Sequence, residues 1–295
     1  MLSILIPCYN YDVTALVEEL LKQLETLNDQ VEIIVLDDGK HSYNTVNKKL
    51  SDDEQLTYLQ NKTNLGRTKS RQTLAEAAQF DNLLFLDADV LPVQPQFLQK
   101  YLDKLSEDFG LIYGGNSYQY KLIDNSKRLH YKFGKHREVR KLEERLKNPY
   151  LNFTSQNFII KKSVFFSLNT NQTNKYGYDL VFSFKLKQQK IKVLQIDNPV
   201  LHLGLNHNQA FLDKSLQAVT NLVEFERKAE ISMTHTRLQK AYKTLTDYKL
   251  AKFFNTIIDI IKPILERNLK SSKPKLIALD LMKLQHYISL RSKDL

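Results

Sequence analysis

Short apolar runs alternate with longer amphipathic stretches through the first two hundred residues. Leu2–Pro7 is one such run, stopped by proline; Val31–Leu36, Leu56–Leu59 and Leu83–Leu86 are others. Apolar runs of this length, bounded by polar clusters, predict buried strands. Between the first two, Leu16, Leu20, Leu24 and Leu27, with Val17 and Leu21 alongside, recur at helical spacing. They predict a helix N-capped by Asp12 and running to about Leu27. A second helix is predicted over Thr68–Phe80, with Leu74, Ala77 and Ala78 facing inward. Strand, helix, strand, helix, strand within ninety residues predicts an α/β fold: a mostly parallel sheet built by right-handed crossovers.

Further along, the pattern predicts helices at Phe97–Leu105, Arg137–Lys147 (highly charged and exposed) and Asp179–Lys187. Strands are predicted at Leu111–Tyr113, Phe158–Ile160, Val193–Ile196 and Val200–Leu203. Beyond Gly204 there is no glycine, and the pattern turns helical with polar breaks near Ser232–His235 and Ser271–Pro274. The expected organisation is a domain over residues 1–205 followed by a helical region over 206–295.

Polar clusters follow three of the strands: Cys8-Tyr9-Asn10, Asp37-Asp38-Gly39 and Asp87-Ala88-Asp89. Ligands of parallel sheets bind beyond the carboxyl ends of the strands, so all three clusters are expected at one edge. If strand geometry persists past Leu86, Asp87 and Asp89 point the same way. Such a pair can hold a divalent cation and leave coordination positions open for phosphate oxygens, or it can be a solvated strand end.

Composition narrows this picture only in part. The 295 residues are 42% hydrophobic and 26% charged, ordinary for a globular chain with a sizeable core. The net charge of +10 is concentrated in residues 206–295, where 16 Lys and Arg face 9 Asp and Glu. A basic surface of this kind suits an acidic partner such as anionic lipid, or is simply a basic soluble face. The single cysteine, Cys8, offers no intramolecular disulfide, which fits a reducing compartment. No signal segment and no run of 18 apolar residues is evident, so the expected location is cytoplasmic, with membrane contact only at the surface. No Gly-x-Gly-x-x-Gly follows the first strand, which argues against a dinucleotide-dependent oxidoreductase. A nucleotidyltransferase would want a glycine-rich basic loop there, and nucleic-acid binding has no motif behind it.

Taken in order, Ile-Pro-Cys-Tyr-Asn, Val-Leu-Asp-Asp-Gly, Asn64-Leu-Gly-Arg with Arg71, and Leu-Asp-Ala-Asp-Val resemble the family 2 inverting glycosyltransferases of the GT-A fold. The likeness covers roughly residues 1–205 and extends to bacterial members that carry a basic helical tail. It implies that Pro7, Tyr9 and Asn10 lie beside the nucleotide base. Asp38, with Asp37 next to it, would bind the base. Gly66, Arg67 and Arg71 would lie near base and phosphates, with Asp87 and Ala88 at the ribose and Asp89 on Mn²⁺ or Mg²⁺. His202, in Val-Leu-His-Leu-Gly, matches a metal ligand of some members, or is a buried histidine satisfied by hydrogen bonds. The Thr154-Ser-Gln-Asn segment, with Gln156 and Asn157, and Tyr178 resemble the lining of the donor-sugar and acceptor site. His136, Arg137 and Arg140 read as a solvated charged surface or as a contact for an anionic acceptor.

Inversion at a sugar carbon needs one base on the acceptor hydroxyl, while a metal offsets the charge developing on the diphosphate. Asp179, in Tyr176-Gly-Tyr-Asp, matches that base or is a helix N-cap. The family's usual Glu-Asp pair is here Tyr178-Asp179, one acid short. The resemblance therefore implies transfer from a nucleoside diphosphate sugar, with UDP expected, to a growing bacterial surface polysaccharide, lipopolysaccharide or related glycan. The shortened acidic pair leaves open a non-catalytic GT-A-like protein that binds nucleotide or glycan. For the tail, Phe253, Phe254, Ile257, Ile258 and Ile261 with Lys249, Lys252 and Lys262 form either a basic amphipathic membrane face or a packing surface.

Overall fold

The computed structural model describes residues 1–119, 123–150, 153–169 and 174–292. Among the described residues the strands are β1 (Leu2–Cys8), β2 (Val31–Asp37), β3 (Leu56–Gln60), β4 (Asn82–Leu86), β5 (Val90–Pro92), β6 (Leu111–Tyr113), β7 (Asn116–Ser117), β8 (Asn157–Lys161), β9 (Val193–Gln195) and β10 (Val200–His202). The helices are α1 (Thr14–Leu24), α2 (Asn44–Lys48), α3 (Arg67–Ala77), α4 (Phe97–Leu102), α5 (Arg128–Phe133), α6 (Leu142–Lys147), α7 (Lys162–Leu168), α8 (Asp179–Gln188), α9 (Asn208–Arg227), α10 (Arg237–Asp247), α11 (Ala251–Lys270) and α12 (Leu276–Arg291).

The chain forms two compact units: Met1–Gln119, Glu138–Asn174 and Lys185–Gly204 make the first; Tyr120–Arg137, Lys175–Phe184 and Leu205–Leu295 make the second. The second unit thus takes in two segments from the middle of the chain as well as the C-terminal helices.

The first unit is built on a seven-stranded sheet in the order β3-β2-β1-β4-β8-β6-β9. The first four of these run parallel, as the strand–helix alternation predicts. β8 is the exception: it lies antiparallel between β4 and β6, a direction that its apolar run, Phe158–Ile160, does not encode. Both faces of β1, β2 and β4 are covered, so their side chains are buried almost without interruption. Leu16, Val17, Leu20 and Leu24 of α1 pack with Ile4, Ile6, Ile33 and Val35 in one core cluster. Each such side chain contributes roughly 1.5–3 kcal/mol on full burial. Asp12 acts two residues outside the helix, its Oδ1 accepting from the Thr14 amide at 2.9 Å, so α1 begins later than its N-cap signal suggests.

A second sheet, β5-β10-β7, sits in the same unit. Its antiparallel register pairs His202 with Val90, which brings a residue far along the sequence next to Asp89. The charged stretch before Pro149 is not one exposed helix. It breaks after residues 134–138, resumes as α6, and turns Arg145 inward. There the guanidinium donates to the carbonyls of Tyr113 and Ile196 and to Gln195.

In the second unit α12 packs against α9, α10 and α11. Tyr178, Val181, Val219, Leu222, Phe225 and Tyr287 form one cluster, and Leu129, Phe211, Leu212, Leu269, Leu279 and Met282 another.

Candidate nucleotide and metal site

The carboxyl ends of β1, β2 and β4 open on a cleft of about 360 Å³ in the first unit. Pro7, Tyr9, Asp38, Gly66, Arg67, Asp87, Ala88 and Asp89 line it, together with Cys8, Tyr11, Asn64, Ser70 and Asn174. The three polar clusters therefore meet, as their position after parallel strands implies. Tyr9 leaves 56% of its surface exposed, so a ring face is open to a flat ligand. Asn10 adopts a left-handed backbone conformation at the end of the same loop.

Adjacent acids at the end of β2 turn opposite ways. The Asp38 carboxylate reaches the cleft and also organises its wall, accepting from the Leu65 amide at 2.8 Å, the Gly66 amide at 2.7 Å and the Asn61 side chain at 2.8 Å. It thereby fixes the Asn64-Leu-Gly-Arg turn that starts α3. Gly66 has φ of +86°, and a Cβ there would collide with the Asn174 side chain. Asp37, expected beside the base, is instead fully buried. Its oxygens accept from Tyr58 (2.7 Å), Asn44 (2.9 Å), His41 (3.0 Å) and Asn47 (3.2 Å). Strand alternation is the reason: successive residues face opposite sides.

Asp37, His41 and Cys8 bring three ligand-type atoms within 4.8 Å of one another among the described residues. Their chemistry reads as a core network rather than a cation site. Burial, then the charge of Asp37, pushes the Cys8 thiol far up, and it donates to the Tyr11 carbonyl. His41 Nδ1 accepts from the Tyr43 amide, leaving Nε2–H to serve Asp37.

At the end of β4 the strand stops at Leu86, so Asp87 and Asp89 do not share a strand face; Asp89 sits in the turn to β5. Both still line the cleft, with different counter-charges. Asp87 is bracketed by arginines: Arg67 Nη2 donates to its Oδ2 at 2.6 Å and Arg71 Nη2 to its Oδ1 at 2.9 Å. Arg71 is buried beside the Phe85 and Phe158 rings and also donates to the Ser155 carbonyl.

Asp89 faces His202, with Oδ2 and Nε2 3.3 Å apart. Burial alone would raise the Asp89 carboxyl, but the hydrogen bond and charge of His202, with Arg67, hold it below its ordinary value. Burial likewise opposes a charged His202, and Asp89 outweighs it, so the imidazole is raised. Behind His202, Nδ1 meets the Tyr118 hydroxyl at 3.1 Å, and that hydroxyl bonds Glu138. Burial and the Glu138 carboxylate push Tyr118 far up, so the phenol stays protonated and donates its hydrogen bond to Glu138.

With the Tyr118 oxygen accepting from Nδ1–H, Nε2 meets Asp89 as a donor when His202 is protonated and as a ligand lone pair when it is neutral. A proton on His202 or a metal can therefore occupy the space between them. One carboxylate oxygen and one imidazole nitrogen, the latter held by an outer hydrogen bond, suit Mn²⁺ better than Mg²⁺, which prefers oxygen donors. Gly204 completes the cradle, since a Cβ there would lie 1.7 Å from Asp89 Oδ2.

The remaining expected residues are distributed unevenly. The Gln156 carbonyl accepts from the Asp87 amide at 3.1 Å, and its buried Oε1 has no hydrogen-bond partner among the described residues. Asn157 is turned into the interior, donating to the Gly115 and Asn198 carbonyls and accepting from Tyr101, because β8 pairs Asn157 with Leu86 before the cleft is reached. Tyr178 lies in the core of the second unit, its ring against Phe225 and its hydroxyl pushed up to about 12 by burial. Asp179 starts α8 in that same unit, two residues after Gly177 with its φ of +86°. Arg137 pairs with Asp280 of the second unit.

Sequence reasoning passed over Gly204, Tyr118, Glu138 and Ser70. Gly204 directly follows the His-Leu pair and was legible as the last glycine of the chain. Tyr118 and Glu138 had no pattern signal, and Ser70, whose buried Oγ has no hydrogen-bond partner among the described residues, sits unmarked in a helix.

Residues 3–175 match the sequence model of the family described as Glycosyl transferase family 2. The chain belongs to that family. The glycosyl transferase family 2 portion spans β1 through β8, the part that builds the cleft. No curated protein matches the chain. Among solved structures, it resembles the mannosyltransferase PcManGT from Pyrobaculum calidifontis in complex with GDP-Man and Mn²⁺ (TM-score 0.56, 12% identity, 96% of this chain and 85% of that one). It also resembles glucosyl-3-phosphoglycerate synthase from Mycobacterium tuberculosis in complex with Mg²⁺ and UDP (TM-score 0.52, 15% identity, 76% and 78%). A third likeness is to S. aureus TarS residues 1–349 in complex with UDP-GlcNAc (TM-score 0.51, 13% identity, 99% and 92%). At these identities the likeness is one of fold: the mostly parallel, helix-flanked sheet of the GT-A glycosyltransferases, followed by helices.

Proposed function

We propose that this family 2 glycosyltransferase moves a sugar from a UDP-sugar to a glycan or glycolipid acceptor of a bacterial surface polymer, with inversion and with Mn²⁺ or Mg²⁺. The observation that carries the reading is the convergence of Tyr9, Asp38, Arg67, Asp87 and Asp89 on one cleft, with His202 against Asp89. An open aromatic face suits a base, and a carboxylate with neighbouring amides suits its edge. Arg67, the exposed arginine beside Asp87, can turn from it toward a diphosphate. Structures of similar fold are solved with UDP and Mg²⁺, with UDP-GlcNAc, and with GDP-Man and Mn²⁺, which supports a nucleotide-sugar donor in general.

Asp89 and His202 would hold the divalent cation, which when bound offsets the negative charge that develops on the leaving diphosphate. Asp38 orients the base and Arg67 binds phosphate oxygens, while Arg71, buried behind Asp87, holds that carboxylate in place. The acceptor hydroxyl oxygen attacks the anomeric carbon, the bond from that carbon to the diphosphate oxygen breaks, and UDP leaves with the electron pair. Asp179 takes the hydroxyl proton; its place in the Tyr-Gly-Tyr-Asp motif supports that role.

A donor screen measuring UDP release with Mn²⁺ and with Mg²⁺ tests the reading. Metal-dependent release from at least one UDP-sugar is expected. Calorimetry that finds no metal-dependent UDP binding would overturn it. Asp179→Asn is expected to keep UDP affinity within about twofold and to lower transfer by at least a hundredfold, the usual contribution of a positioned base. Full transfer by that variant would remove Asp179 from the role.

A further inference from the structure

Within the second unit, α11 is seated on its neighbours by one edge only. Ile258 and Leu269 are buried, Gln285 of α12 donates to Asp259 at 2.7 Å, and Ser289 of α12 donates to Asn255 at 3.0 Å. The opposite edge is unusually apolar for a surface. Phe253, Ile257, Ile260 and Ile264 leave 66%, 40%, 73% and 69% of their surface exposed. Spacing of four, three and four residues keeps them in a single stripe along the helix. Ile258, which the apolar pattern alone assigns to the same face, belongs to the buried edge.

Exposed cations bound this stripe at both ends: Lys249 and Lys252 before it, Arg267 and Lys270 after it. Of the two acids in α11, Asp259 is engaged by Gln285 and Asn255. No described helix is long and apolar enough to cross a membrane; a stripe of this kind, apolar along one line and flanked by cations, suits a helix lying in the plane of a lipid surface. A second copy of the chain is a poor occupant, because a two-fold contact along the stripe would bring like-charged ends together.

We infer that the outer face of α11 docks on an anionic lipid surface, the four apolar side chains entering the acyl boundary and the flanking cations meeting lipid phosphates. The inference is independent of the proposed transfer, since none of these residues lines the cleft.

Vesicle flotation of the full chain tests it, comparing phosphatidylglycerol–phosphatidylcholine mixtures with phosphatidylcholine alone. Binding to the anionic vesicles is expected, weakening as salt is raised, with little binding to the neutral ones. The double variant Ile260→Glu, Ile264→Glu should bind at least about tenfold more weakly. Lys252→Ala and Arg267→Ala should each weaken binding roughly fivefold at low salt. All of these positions are exposed, so melting temperature and UDP release should be unchanged. Equal affinity for both vesicle types, or none for either, overturns the inference. So does a dimer, seen by sedimentation equilibrium, that Ile260→Glu dissociates, because a second copy would then cover the face.

Discussion

The ends of β2 and β4 each present two aspartates, yet the four carboxylates have four different surroundings. At β2 the acids are adjacent, so the pleat divides them: Asp37 enters the core against His41, Asn44, Asn47 and Tyr58, and Asp38 faces the cleft. At β4 the acids are separated by Ala88 and both reach the cleft, but Asp87 is neutralised by Arg67 and Arg71 while Asp89 meets His202. Identical side chains thus become a core acceptor, a turn organiser, an arginine counter-ion and one half of a cation cradle. What differs is the neighbour each carboxylate is given.

The largest effect is expected from breaking the cradle. Asp89→Ala should abolish metal-dependent UDP binding in calorimetry and lower transfer on the order of a thousandfold. Asp87→Asn, by comparison, should keep the metal requirement. Next comes the buried member of the other pair. Asp37→Ala leaves four polar side chains without their acceptor and should lower unfolding free energy by about 3–5 kcal/mol in denaturant titration. The surviving folded fraction should bind UDP normally, which separates a core acid from a ligand-binding one.

Gly204→Ala sharpens the contrast without removing any carboxylate. Its Cβ would displace Asp89 Oδ2, so the metal concentration for half-maximal activity should rise by roughly tenfold or more, with the melting temperature little changed. Arg67→Ala removes the more exposed partner of Asp87 and should affect stability by less than about 1 kcal/mol. Donor KM is expected to rise severalfold while the metal requirement stays. The smallest effect concerns Cys8, whose thiol burial and Asp37 push far up. Iodoacetamide should label it much more slowly than a free thiol at pH 8, and Asp37→Asn should quicken labelling only slightly, since burial is the larger cause.

Much of the first unit was legible because parallel α/β sheets write themselves in local pattern. Leu2–Pro7, Val31–Leu36, Leu56–Leu59 and Leu83–Leu86 became β1 to β4, and the helices between them formed near their predicted limits. Strand direction was not legible at β8, since an antiparallel strand buried on both faces has the same composition as a parallel one. The buried Arg145 was hidden for a related reason: a charged run reads as solvated until the carbonyls that satisfy it are known.

By itself, the sequence determined the strand-end clusters, the order in which they occur and the family they resemble, because those depend on residue type and spacing along one edge of a sheet. The tertiary structure alone decided which carboxylate meets which counter-charge. His202 reaches Asp89 only through the β5–β10 register, across more than a hundred residues. Asn157 and Tyr178, both matched to the sugar site by motif, turn inward because neighbouring elements claim their side chains. A motif specifies which groups are present near a site; packing and pairing over long range specify where each one points, and with that its charge state and its chemistry.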